Sequence, residues 1–125
     1  DKNGVYLSSL KFLHADPDDF VMIDKLTGRG GEYVFLVDTW HCTPVTVYRK
    51  NGRLVAETVL YERGTLNALA IIKAEVGEDD TTLKNLKLLP PPGKDVVGKV
   101  ARWQIEIFER EDMIKRMKEA GTLLK

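Results

Sequence analysis

The pattern of apolar and polar positions centres on Pro44 to Tyr61, where two runs rich in β-branched and aromatic residues flank a bare Asn51-Gly52 pair. Asn and Gly tolerate the positive φ that both central positions of a type I′ turn need, so the pair predicts a β-hairpin and also its register. Lys50 then faces Arg53, Tyr48 faces Val55, Val47 faces Ala56, and Val45 faces Thr58. Side chains alternate along a strand. One face therefore collects Val45, Val47, Leu54, Ala56 and Leu60, and the other Thr46, Tyr48, Val55, Glu57, Val59 and Tyr61. Both faces are at least half apolar, which places the hairpin inside a sheet covered on at least one side.

The same reading extends along the chain. Residues 4–13 predict a first strand. Asp16-Pro17-Asp18-Asp19 has the chemistry of a helix start: a capping side chain, a proline suited to the first turn, and two acids at the positive end of the helix dipole. Phe20, Ile23 and Leu26 continue it as a short apolar stripe, predicting a helix over 17–27 closed by Gly28. Glu32 to Trp40 reads as a central strand, because Tyr33-Val34-Phe35-Leu36-Val37 is apolar on both faces. Beyond the hairpin, Leu66, Leu69, Ile72 and Val76 share one helical face, predicting a helix over 66–76. Leu83 to Leu89 reads as a strand, and Pro90-Pro91-Pro92-Gly93 as an extended connection without ladder bonds. In Val96 to Phe108 the residues Ala101, Trp103, Ile105 and Ile107 alternate with Arg102, Gln104 and Glu106. This predicts a strand with Trp103 buried beside Ile105 and Ile107. Glu111 to Ala120 predicts a final helix stopped by Gly121, with Met113 and Met117 as core packing.

The order becomes βαβββαββα. The fold class is α+β, one domain over residues 1–125, with a mostly antiparallel twisted sheet and about three helices packed on it. At 125 residues the chain is long enough to bury a core without metal or disulfide staples. The single cysteine, Cys42, excludes an internal disulfide framework. Lys and Arg number 19 against 19 Asp and Glu, so the net positive charge typical of nucleic-acid binders is missing. No apolar run approaches the ~20 residues of a membrane span. The start shows no cleavable signal pattern, and Asp1 there fits a processed or excised chain.

Catalytic and metal signatures are weak. His41-Cys42 near Asp38 would need a base within reach of the thiol, yet alternation turns neighbouring side chains to opposite faces. His14 with Asp16, Asp18 and Asp19 lacks the ligand spacing of a calcium loop, and two histidines with one cysteine do not make an ordinary zinc site. The glycines of 28–31 lead out of the expected helix rather than into one, unlike a phosphate-cradling loop. No cofactor or metal is expected. Candidate binding residues are Tyr48, Arg49, Lys50 and Arg53 around the hairpin tip. Leu123 and Leu124 join them as apolar residues just past a helix stop.

The expected function is a non-enzymatic protein–protein interaction domain, a soluble subunit or adaptor of a larger assembly, with a protein partner or a homo-oligomer as its complex. The alternatives are a small hydrolase or nuclease-like enzyme using His14 or His41 with nearby acids, and a single-stranded nucleic-acid binder. Cys42 separates the first alternative from the lead. A catalytic thiol is ionised and reachable, whereas a thiol among Val and Phe residues is kept protonated by burial. Cys42 should therefore label slowly with a thiol reagent at neutral pH and quickly only in denaturant. Fast labelling of the native protein, governed by a thiolate forming well below pH ~8, is the outcome that defeats this reading.

Overall fold

The computed structural model describes residues 6–7, 10–16, 18–37, 43–65 and 67–124. Among the described residues strands β1 (Tyr6–Leu7) and β2 (Leu10–Lys11) form a separate two-stranded antiparallel pair. Then follow β3 (Val21–Asp24), β4 (Thr27–Gly30), β5 (Tyr33–Val37), β6 (Pro44–Lys50), β7 (Arg53–Tyr61), β8 (Ala68–Val76) and β9 (Leu83–Leu89). Among the described residues these seven form one antiparallel open sheet in plain chain order. Helices α1 (Arg102–Phe108) and α2 (Glu111–Thr122) close the chain.

The central hairpin forms as its turn chemistry dictates. Asn51 and Gly52 have φ values of 53° and 79°, the two positive angles of a type I′ turn. Lys50 faces Arg53, Tyr48 faces Val55 and Val47 faces Ala56; the recorded pairing stops at Thr46 opposite Glu57, one step before Val45 and Thr58. Val45, Val47, Leu54, Ala56 and Leu60 all enter one core, which the side chains of Phe108, Met113, Ile114, Met117 and Ala120 complete from the helices. The opposite face carries a second core of Phe12, Phe20, Phe35 and Val37. Strand β5 is buried from Val34 to Val37, as its two-sided apolar pattern predicts.

Three predicted elements change type, and one breaks up. The helix over 17–27 is replaced by the β3–β4 hairpin. Asp16 accepts the Asp18 N–H at 2.9 Å and Asp24 accepts the Leu26 N–H at 2.8 Å, so both aspartates make turns rather than caps. Phe20 turns inward onto Phe35, and its ring fills the space over Gly28, where a Cβ would lie 2.4 Å from Cζ. The helix over 66–76 is strand β8. Ala70, Ile72, Ala74 and Val76 satisfy a period of two, while Leu69, Ile72 and Val76 also fit a helical stripe, and bonding to β7 and β9 on either side decides for the strand. The strand over 96–108 is a loop followed by α1, and Trp103 is 43% exposed rather than buried. Of the first strand expected over 4–13, the described residues form the short β1–β2 pair, and residues 4, 5, 8 and 9 lie outside the described residues. Among the described residues there are thus two helices, not three, and the order βαβββαββα does not hold.

Helix α1 owes its start to Gln104. Its side chain accepts the Ala101 N–H at 3.0 Å and donates to the Tyr61 carbonyl at 2.9 Å, fastening the helix to the end of β7. With Gln104, Ile107 and Phe108 inward at helical spacing, the alternation around Trp103 loses its meaning. Helix α2 lies where expected but runs through Gly121. A Cβ on Gly121 would come within 2.9 Å of Leu54 Cδ2, so the glycine sets how closely helix and sheet approach. Arg116 from α2 donates to the carbonyls of Val37 at 2.6 Å and Leu26 at 3.2 Å, and Arg49 from β6 donates to that of Gly121 at 3.2 Å.

Nothing lies within 4 Å of a Cβ placed on Gly52, so a substitution there tests backbone strain without a clash. Gly52→Val should lose about 1–3 kcal/mol of unfolding free energy in a denaturant titration, because a β-branched residue resists positive φ. Gly52→Asn should lose far less. Equal stability of all three proteins would mean that the turn does not set the register.

Candidate functional site

The face of the sheet turned away from the helices holds the most concentrated polar chemistry. Glu57 on β7 is buried there. Its carboxylate accepts a short hydrogen bond from the Tyr48 hydroxyl, and its Oε1 lies 3.6 Å from His14 Nε2. His14 adopts a left-handed backbone, φ 66°, in the segment before β3. Its ring stacks on Tyr33 at 4.9 Å and meets Tyr48 edge-on at 5.6 Å. Strand pairing makes this possible, since Tyr33 lies directly opposite Tyr48 across β5 and β6. Thr46 adds a hydrogen bond of 3.0 Å from its hydroxyl to the Leu13 carbonyl, holding the segment down.

Burial drives the Tyr48 phenol well above its ordinary 10.0, and the bond to Glu57 and that carboxylate's charge add to the rise. The cluster is therefore a neutral phenol donating to a buried carboxylate, with a half-exposed imidazole as lid. A hydrolase would need the carboxylate or imidazole aimed at a substrate. Here Glu57 is committed inward to Tyr48, and the carboxylate nearest His14 is Glu57 rather than the aspartates of the following turn. His41, Cys42, Asp38 and Trp40 lie outside the described residues. Among the described residues no group of three His, Cys, Asp or Glu side chains is placed to hold a metal ion, and no helix is long and apolar enough to cross a membrane.

The binding residues expected from the sequence do not form one group. Tyr48 belongs to the inward cluster. Arg49 turns to the helix face, bonding Glu78 at 2.7 Å and the Gly121 carbonyl. Arg53 bonds Glu75 at 3.1 Å, and Lys50 stays exposed at the tip. Leu123 is exposed just beyond α2, while Leu124 folds back against the helix-side core.

A further surface escaped the sequence reading. Val21, Met22 and Ile23 on β3 are 64%, 44% and 49% exposed, three consecutive large apolar side chains on an edge strand. The available signal was the β-rich run itself, which the apparent helix start at Asp16 masked. Comparison of the chain with family models, curated proteins and solved structures finds no match.

The Tyr48 shift fixes a pH dependence. A folded-state pKa raised above the unfolded value contributes stability that is complete below pH 10.0 and is lost as pH rises through the folded value. Tyr48→Phe should cost about 1–3 kcal/mol at neutral pH, by leaving the buried carboxylate short of a donor. It should also flatten the fall in stability between about pH 10 and 12 relative to wild type. Parallel curves for the two proteins over that range would refute the assignment.

Proposed function

We propose that this protein is a non-enzymatic interaction module, a subunit that assembles through protein–protein contact by extending its sheet at β3. The observation that carries the reading is the exposure of Val21, Met22 and Ile23 on a strand that has β4 on one side and, among the described residues, no strand on the other. Edge strands of monomers are usually blunted by charge, proline or a covering element, because their free main-chain groups template pairing. An edge with contiguous apolar side chains on both faces fits strand addition, in which main-chain bonds give affinity and alternate side chains enter the partner.

The edge is also self-complementary. In an antiparallel pairing of two copies centred on Met22, Val21 of one lies opposite Ile23 of the other, and Asp19 lies opposite Lys25. The two-fold axis makes each of these contacts twice, so a second copy is the occupant that the residue pattern favours. The engagement of Arg49 by Glu78 and of Arg53 by Glu75 removes two cations from the hairpin tip. That leaves a nucleic-acid role with less support than protein contact.

Sedimentation equilibrium tests the reading. The wild type should self-associate reversibly, Ile23→Lys should be monomeric, and Lys25→Asp should weaken association about tenfold, with the added Asp19→Lys restoring it. A wild type that stays monomeric at high concentration, with main-chain amides of Val21–Asp24 exchanging freely, would remove the proposal.

A further inference from the structure

On the same face as Glu57, and beside it across β7 and β8, the strands β7, β8 and β9 and the tip of the β6–β7 hairpin enclose a concavity of about 330 Å³. Lys50, Arg53, Lys73 and Lys87 line it, with Glu75 as its one carboxylate. We infer that this concavity binds a phosphorylated small molecule, whose phosphoryl oxygens take hydrogen bonds from Lys73 and Lys87 and whose charge Lys50 completes. The inference stands apart from the β3 edge and does not depend on it.

The first ground is the pairing of like charges. Lys50 lies directly opposite Arg53 across the hairpin, and Lys73 lies directly opposite Lys87 across β8 and β9. Like charges in directly opposed positions destabilise a sheet. Two such pairs around one concavity is an arrangement that folding alone does not favour. Edge protection accounts for lysines on β9, the last strand, but not for Lys73, which lies on an interior strand between β7 and β9.

The second ground is the disposition of the nearby carboxylates. Glu75 receives Arg53 Nη1 at 3.1 Å on one oxygen and the Asn85 side-chain amide on the other. The Asn85 bond chiefly, helped by Arg53 and Lys87, holds its carboxyl below the usual carboxylate range, so it stays ionised and keeps the guanidinium in place. Glu57, the other cross-strand neighbour of Lys73, is committed to Tyr48. Among the described residues Lys50, Lys73 and Lys87 make no ion pair.

The third ground is the backbone. Between the Lys73–Lys87 and Glu75–Lys84 pairs the register shifts, and Asn85 in that bulge takes a left-handed φ of 55°. Bulges re-aim side chains, and a non-glycine residue at positive φ is a cost that sites of function commonly carry. The space exceeds one phosphate group and suits a diphosphate or the ester of a small organic molecule. The chain as a whole, with 19 Lys and Arg against 19 Asp and Glu, lacks the net positive charge typical of nucleic-acid binders.

Titration calorimetry and thermal unfolding at low ionic strength, with pyrophosphate and ribose 5-phosphate as probes, test the inference. At least one should bind saturably and raise the melting temperature beyond sodium chloride of equal ionic strength. Binding of pyrophosphate alone would identify an inorganic ligand, and tighter binding of ribose 5-phosphate an organic ester. Lys73→Gln and Lys87→Gln should each weaken binding about tenfold. The ligand-free Lys87→Gln protein should melt no lower than wild type, because a repulsion has been removed. Lys50→Gln, at the exposed tip, keeps the test open should a strand variant fail to fold, and it too should weaken binding. The inference fails if neither probe stabilises beyond chloride, or if the variants bind as wild type does. It fails equally if only a single-stranded oligonucleotide binds, with a steep salt dependence.

Discussion

Strand β7 is buried at every position from Leu54 to Leu60, so it is covered on both faces. The rest of the structure follows from that double burial. A strand at an open face can leave alternate residues to water, but β7 presents Leu54, Ala56 and Leu60 to one side and Val55, Glu57 and Val59 to the other. The helices supply the first cover, with Met113 and Met117 packed into the core that holds Ala56 and Ala74. Alanines at these positions leave room for the long, adaptable methionine side chains. The opposite face is covered over β5 and β6 by the segment before β3, through Phe12 and Phe20.

That second cover explains the polar residues within it. A segment laid across a sheet brings unpaired backbone groups, and Thr46 meets one of them at the Leu13 carbonyl. Glu57 would be costly in such a place without partners. Tyr48 and His14 are both contributed to it, one from the neighbouring strand and one from the segment itself. The cluster therefore joins the segment to the sheet by specific geometry, where the phenylalanines alone would allow sliding. Its aromatic wall of Tyr33, Tyr48 and His14 is a consequence of the same docking.

The two edges of the sheet differ in chemistry. Strand β9 carries Lys84, Lys87 and a bulge at Asn85, features that discourage pairing with another sheet. Strand β3 carries Val21, Met22 and Ile23 in the open, although it is short and irregular between Met22 and Asp24. On the proposed reading, a sheet with one guarded and one apolar edge would associate through a single side, closing as a pair rather than growing into a filament.

The central hairpin was legible in the sequence down to its register and the membership of each face. Its turn is local, and the alternation on both arms is unambiguous. Strand β5, strand β9 and helix α2 were legible for similar reasons of strong pattern or clean start signals. The β3–β4 hairpin was not, because Asp16 suits a cap and a turn equally well until Phe20 finds Phe35. Strand β8 was not, because Ala70, Ile72, Ala74 and Val76 fit a period of two while Leu69, Ile72 and Val76 fit a helical one, and only pairing on both sides selects between them. Helix α1 was not, because its start depends on Gln104 reaching the Tyr61 carbonyl, a bond across 43 residues. The candidate sites divide in the same way. Lys50 and Arg53 meet through a two-residue turn and could be read from the chain. Lys73 and Lys87, or His14 and Glu57, become neighbours only when distant strands and segments pack. Local turn chemistry is written in adjacent residues, whereas the choice between two equal periods belongs to whatever surface each segment finally buries.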